Sequence, residues 1–190
     1  WNKAAATTLY ARWSKCSAGS YCPGDNTIVA CPTDDEGRTL TSPSGSDAAV
    51  DCYVTCASTI TVANAKTVSV VDGTPNYNGS VYPTCMYNVT CNTGYSASGS
   101  GTANPSCTAN TYSIAYTLNS GTAGANKPTT ATYDSAFTVS NPTRTGYTFS
   151  GWNITGMDSV THTYDSSTTT NTSISGTKAT SYKNLRSTSG

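Results

Sequence analysis

The feature that most limits what this chain can fold into is its cysteines. They stand at Cys16, Cys22, Cys31, Cys52, Cys56, Cys85, Cys91 and Cys107, and residues 108–190 contain none. An even number crowded into the first part of a chain with a single His reads as a disulfide framework. A structural zinc site needs Cys-x-x-Cys pairs or mixed Cys/His sets, and no Cys-x-x-Cys occurs. Disulfides place the chain in an oxidising compartment, secreted or at the cell surface. Eight cysteines admit on the order of a hundred pairings, so spacing alone assigns none of them.

Composition narrows the class further. Lys plus Arg number 10, Asp plus Glu number 10, and charged residues make up 11% of the chain. That is less than half the usual share, and it lacks the basic face a nucleic-acid binder needs to displace counterions. Thr occurs 36 times, Ser 26 times and Tyr 13 times. Thr and Tyr suit strands while Ser, Gly and Asn suit turns, so the expected fold is mainly β, kept soluble by hydroxyls. No apolar run approaches the length of a membrane span.

Along the chain, residues 7–13 (TTLYARW) predict a strand with Leu9, Ala11 and Trp13 on one face and Tyr10 and Arg12 on the other. A Gly-, Pro- and Ser-rich segment follows from Cys16 to Cys56. The alternating run STITVANAKTVSVV predicts one or two strands before a second cross-linked segment, Cys85 to Cys107. Beyond it come the strand-like runs SIAYTL, SAFTV, YTFSGWNIT and VTHTY, then a Thr/Ser-rich stretch and ATSYKNLRS, which could form a helical turn or two. No amphipathic helix is predicted.

One stretch, NPTRTGYTFSGW at 141–152, conflicts with simple alternation. A regular strand puts Tyr147 and Phe149 on one face and Trp152 on the other, leaving large apolar surface in water. A bulge at Ser150–Gly151 would flip the register, since Gly adopts backbone angles other residues avoid. The expectation is one small core signature of Tyr147, Phe149, Gly151 and Trp152.

Residues 112–190, with YSIAYTLNSGTAGANKP, the Phe-Thr-Val strand and above all PTRTGYTFSGW, resemble the internalin-type B-repeat (Listeria–Bacteroides repeat) of bacterial surface proteins. The resemblance implies a small β-grasp-like module of a kind that occurs in tandem as spacers. Such repeats close with a strand of the form TLYARW, which here stands at 8–13. The resemblance therefore implies that the first residues are the tail of a preceding repeat and that the last repeat lacks its closing strand. CPTDDEGRTLTSPSGSDAAVDCYVTC (31–56) is similar to short extracellular Cys-rich repeats. It departs from them by an insertion before Gly37 and by three residues, not two, between Cys52 and Cys56. That resemblance favours Cys31–Cys52. The segment 87–107 is similar to sushi-like modules, without their core Trp, and its loop suggests Cys91–Cys107.

The expected organisation is a terminal strand at 1–15, a Cys-rich module at 16–56, a second disulfide-linked β module at 57–110 and the B-repeat-like module at 111–190, in an elongated multi-module arrangement. Catalytic chemistry has few candidates. His162, with Asp158 or Asp165 nearby, offers a formal Ser-His-Asp set, but no nucleophile elbow occurs and a strand-surface His is the simpler reading. Asp34, Asp35 and Glu36 lack the spaced pattern of a calcium loop and read as a solvated turn. The chain has no Gln, which excludes internal Thr–Gln ester and Cys–Gln thioester cross-links; a Lys–Asn amide would use Lys127, Lys178 or Lys183. Asn78, Asn88, Asn153 and Asn171 begin N-x-S/T sequons and are the candidate glycosylation acceptors.

The expected protein is thus non-catalytic, without metal or cofactor. It would be a structural and adhesive stalk segment of a large modular surface protein, its partners being neighbouring modules or other copies. Two alternatives stand beside it. One is a filament subunit built by strand addition between copies; the other is a module that binds host glycans or proteins.

Overall fold

The computed structural model describes residues 8–189. It is nearly all β, in small sheets cross-linked by four disulfides. Two compact units arise: residues up to Ser58 with Val70–Met86, and Thr59–Ser69 with Tyr87 onward.

The first unit holds little regular structure. β1 (Ser20–Tyr21) pairs antiparallel with β2 (Val29–Ala30), and a single 3-10 turn covers Ala49–Asp51. Isolated bridges Thr33↔Thr39, Thr41↔Tyr53 and Tyr53↔Asn76 hold the rest. Its buried cluster is Cys31, Leu40 and Cys52, with Tyr21, Tyr77 and Tyr82 packed against it. Tyr77 and Tyr82 stack at 5.3 Å. So small an apolar cluster is the situation in which cross-links take over from core burial. Cys16–Cys22, Cys31–Cys52 and Cys56–Cys85 all lie in this unit.

The second unit begins with β3 (Ala65–Val70, its last residue at the border with the first unit) beside β4 (Tyr87–Cys91). β5 (Tyr95–Ser98) and β6 (Ser106–Ala109) form an antiparallel pair, and Cys91–Cys107 ties β4 to β6. β7 (Thr111–Ser113) pairs with β8 (Thr130–Thr132). The remaining strands are β9 (Phe137–Thr138), β10 (Trp152–Ile154), β11 (His162–Tyr164), β12 (Ser167–Thr169), β13 (Ile174–Thr177) and β14 (Ser181–Lys183). β12, β11, β14 and β9 make a four-stranded sheet in that order, and β10 pairs with β13. Asp165 opens the two-residue loop between β11 and β12 with φ +46, a conformation Asp tolerates better than most residues.

The core of this unit is Tyr112, Ala131, Val139, Met157, Ala179, Tyr182 and Leu185. Ile114, Tyr116, Phe137, Trp152, Ile154, Tyr164 and Ile174 pack around it. Burial of Val139, Met157 and Leu185 contributes roughly 1.5–3 kcal/mol each. The Tyr112 hydroxyl accepts the Leu185 amide at 3.2 Å, so the largest buried ring also satisfies its polar end.

Two sequence expectations differ from the fold. Residues 8–13 join no ladder, and Leu9, Tyr10 and Trp13 are 93%, 85% and 85% exposed; Thr7 of that run lies outside the described residues. ATSYKNLRS supplies β14 and not a helical turn, because Tyr182 fits the sheet's buried face between Phe137 and Tyr164 in the pairing order.

Candidate functional site

The disulfides form the first candidate framework. Cys31 and Cys52 are bonded, as are Cys91 and Cys107, and the remaining four pair as Cys16–Cys22 and Cys56–Cys85. Beside Cys85 sits Arg38. Its backbone amide and Nε donate to the two carboxylate oxygens of Asp34 at 2.8 and 2.6 Å, and Nη2 reaches the Pro83 carbonyl at 3.3 Å. Asp34 is therefore buried and locked, not the solvated turn that the acidic run suggests. Burial pushes its carboxyl up, but the hydrogen bonds and charge of Arg38, with the Glu36 amide, outweigh this and hold it below the ordinary value.

The aromatic stretch is built differently from the sequence expectation. Trp152 is half-buried on β10, meets Tyr116 and Phe149 edge-on at 5.8 and 5.3 Å, and donates its indole N–H to Asn141 at 3.1 Å. Tyr147 does not join them. Gly146 has φ +81 in a turn closed by the Tyr147 amide on the Arg144 carbonyl, so no strand runs through 147–149. Tyr147 is 67% exposed and lies under the Arg144 guanidinium, 3.9 Å from its ring centre. The bulge is also displaced. Trp152 faces Thr177 and Ile154 faces Ile174, so two steps along β10 meet three along β13. The extra residue sits at Ser175–Gly176, where Gly176 has φ +67. Gly151, with φ +137, instead lets the two backbones approach closely.

A groove of about 490 Å³ lies over this core, lined by residues 112–117 and 152–157 together with Phe137, Val139, Tyr182, Leu185 and Arg186. Its walls mix aromatic and aliphatic side chains such as Tyr116, Trp152 and Ile154 with the polar Ser113, Thr117, Asn153, Thr155 and Arg186. Burial and the charge of Asp165 push the Tyr182 hydroxyl up to about 12. At the core's margin, Asp158 Oδ2 accepts from the amide and hydroxyl of Ser187 at 2.7 and 3.0 Å and from those of Thr188, both at 3.1 Å.

The catalytic candidates do not assemble. His162 is 0% exposed, and its Nδ1 and Nε2 face the carbonyl oxygens of Asn184 and Asn171 at 3.2 and 2.6 Å. It braces two loops from inside the sheet, not from the strand surface. Asp158 is committed to Ser187 and Thr188, and Asp165 accepts the amides of Thr180 and Ser181. Among the amine candidates, Lys183 sits 2.5 Å from Asp134, Lys127 lies over the Tyr116 ring, and Lys178 is exposed. Among the described residues no three His, Cys, Asp or Glu side chains converge as a metal site would require. No helix there is long and apolar enough to cross a membrane.

All four sequon asparagines are exposed. Asn78 accepts the amides of Ser80 and Val81 at 2.9 and 2.7 Å, and Asn153 accepts the Ser175 hydroxyl and the Gly176 amide at 3.0 and 2.9 Å. Sequence reasoning missed the groove and the Asp158 clasp, because both are made by segments far apart in the chain.

Comparison with curated proteins and with solved structures finds no match. The family comparison does: residues 112–177, from within β7 to the end of β13, match the Listeria-Bacteroides repeat domain.

Proposed function

We propose that this chain is a non-catalytic structural and adhesive stalk segment of a large modular bacterial cell-surface protein, acting outside the cell. The observation that supports this best is where the side chains go. In the second unit Tyr112, Tyr116, Phe137, Trp152, Tyr164 and Tyr182 gather around one core, and the buried His162 and Tyr112 are bound to backbone. In the first unit three disulfides stand where a large core would otherwise be. Such a build suits a segment that has to resist extension. The match to a repeat domain and the four disulfides fit an extracellular spacer.

Single-molecule extension of the oxidised and reduced chain tests this reading. Cys31–Cys52 and Cys56–Cys85 span separations of 21 and 29 residues. Reduction should release roughly 70 and 100 Å of additional length at about 3.5 Å per residue. A chain that stretches without discrete unfolding steps, oxidised as well as reduced, is no stalk and sinks the proposal.

A further inference from the structure

Asn78 stands in the loop 78–81 of the first unit, and its bond to Gly79 is the one Asn-Gly step in the chain. The ends of this loop are pinned. Tyr77 and Tyr82 stack at 5.3 Å and both pack on the cluster of Cys31, Leu40 and Cys52. The Tyr77 amide also donates to the Cys52 carbonyl at 2.7 Å. Asn78 itself is exposed. Its side-chain oxygen, Oδ1, accepts two backbone amides, those of Ser80 at 2.9 Å and Val81 at 2.7 Å.

Two N–H groups aimed at one carbonyl oxygen are the arrangement that stabilises a developing oxyanion. A nucleophile already stands beside that carbonyl. It is the Gly79 amide nitrogen, whose N–H donates to no acceptor among the described residues. Gly79 has no side chain to crowd the approach, holds φ +92, and lies in open space, since a carbon built on it would meet nothing within 4 Å. Attack by the adjoining amide is intramolecular, so no translational freedom is lost in bringing the two groups together.

We infer that Asn78–Gly79 is a self-modification site, where the folded loop promotes conversion of Asn78 to aspartate and isoaspartate with water as the only co-reactant. The Gly79 nitrogen gives its proton to solvent and bonds to Asn78 Cγ. The negative charge passes to Oδ1, where the Ser80 and Val81 amides hold it. The Cγ–Nδ2 bond then breaks, and Nδ2 takes a proton from solvent and leaves as ammonia. A cyclic imide remains. Water opens the ring at either carbonyl and returns a proton to the Gly79 nitrogen or leaves it bonded to Cγ, which gives aspartate in the first case and isoaspartate in the second. The product carries a negative charge that asparagine lacks, and it no longer begins a sequon, so conversion and glycosylation of Asn78 exclude each other. The site is independent of the stalk reading.

The test follows the peptide containing residues 77–82 by mass spectrometry while the full oxidised chain stands at neutral pH and body temperature. Exchange of the amide NH2 for OH, and a split into two isomeric peptides, mark the reaction. The native chain is expected to convert at least about tenfold faster than the same chain reduced, alkylated and unfolded in guanidinium, because unfolding keeps the Asn-Gly step but disperses the two donors. Val81 is 64% exposed, and Val81→Pro removes one donor while leaving Asn78–Gly79 intact. This variant should convert at least about tenfold more slowly than wild type when folded and at the wild-type rate in guanidinium. Ser80→Pro, which removes the other donor, takes its place if the first loses its near-UV circular dichroism. A native chain that converts no faster than the unfolded one overturns the inference. So does a folded proline variant that converts as fast as native wild type.

Discussion

Gly151 lies directly against the backbone of Gly176: a side-chain carbon at 151 would fall 2.4 Å from both the carbonyl carbon and the carbonyl oxygen of Gly176. This approach seats β10 against the bulged strand β13 and so turns Trp152 onto the core. Gly151 also holds φ +137, where an L side chain is strained whatever the space.

Gly151→Ala should therefore combine backbone strain with a clash against main chain that cannot swing aside. The expected loss is about 2–4 kcal/mol. Gly176→Ala meets nothing within 4 Å and carries only the cost of its positive φ, about 1 kcal/mol. Urea midpoints of the two variants, followed by Trp fluorescence, rank them. Equal losses would mean that the close approach does not matter.

A second prediction concerns acid. Burial pushes the Asp158 carboxyl up, but the hydrogen bonds from Ser187 and Thr188 outweigh it and leave the folded value below the ordinary 3.8. A lowered folded value means the contribution is fully present above 3.8 and is lost as pH falls through the lower folded value. Asp158→Asn should cost about 1–2 kcal/mol at neutral pH and make this part of the acid loss disappear. Thermal melts between neutral pH and pH 2 decide it. An unchanged acid limb in the variant would assign acid sensitivity elsewhere.

How much of this was legible beforehand follows from where each residue's partner lies. The Cys-rich half and the nearly all-β class were readable because cysteine spacing and Thr-rich alternation are local. Trp152 was readable as a core residue, and Gly151 as a special backbone position, for the same reason. Tyr147 was not, because the Thr145–Gly146 turn ends the alternation and Arg144 offers the ring a surface partner. His162 was not, because its partners are two main-chain carbonyls, at 171 and 184, which no side-chain pattern announces. The bulge was expected in the strand with the conspicuous glycine and sits in its neighbour, where Gly176 absorbs the extra residue.

The two units should respond unequally to thiol. The first has a buried cluster of three residues, two of them cysteines bonded to each other, and two further disulfides. On the chain-entropy account, closing loops of 21 and 29 residues stabilises by about 3 kcal/mol each. The sheet of β12, β11, β14 and β9 contains no cysteine. Reduction should thus abolish amide protection around Leu40 and Val54 while protection around Tyr182 survives. Hydrogen exchange of the reduced chain gives both readings at once, and simultaneous loss would show that the units fold as one.

Tyr182 sets the alkaline limit. Its ring stacks on Phe137 at 5.7 Å and its hydroxyl donates to the Ala179 carbonyl at 2.6 Å, inside the core. Burial, aided by the charge of Asp165, raises its ionisation from 10.0 to about 12. A raised folded value means the neutral ring's contribution is fully present below 10.0 and is lost as pH rises from there through about 12, because the unfolded chain ionises first. Tyr182→Phe removes the titrating group and one hydrogen bond. It should cost about 1 kcal/mol at neutral pH and lose less stability than wild type between pH 10 and 12. Denaturant melts of both proteins at the two ends of that window check the sign. A variant whose stability falls as steeply as wild type's would place the alkaline transition on another tyrosine, with Tyr112, also raised by burial, next in line.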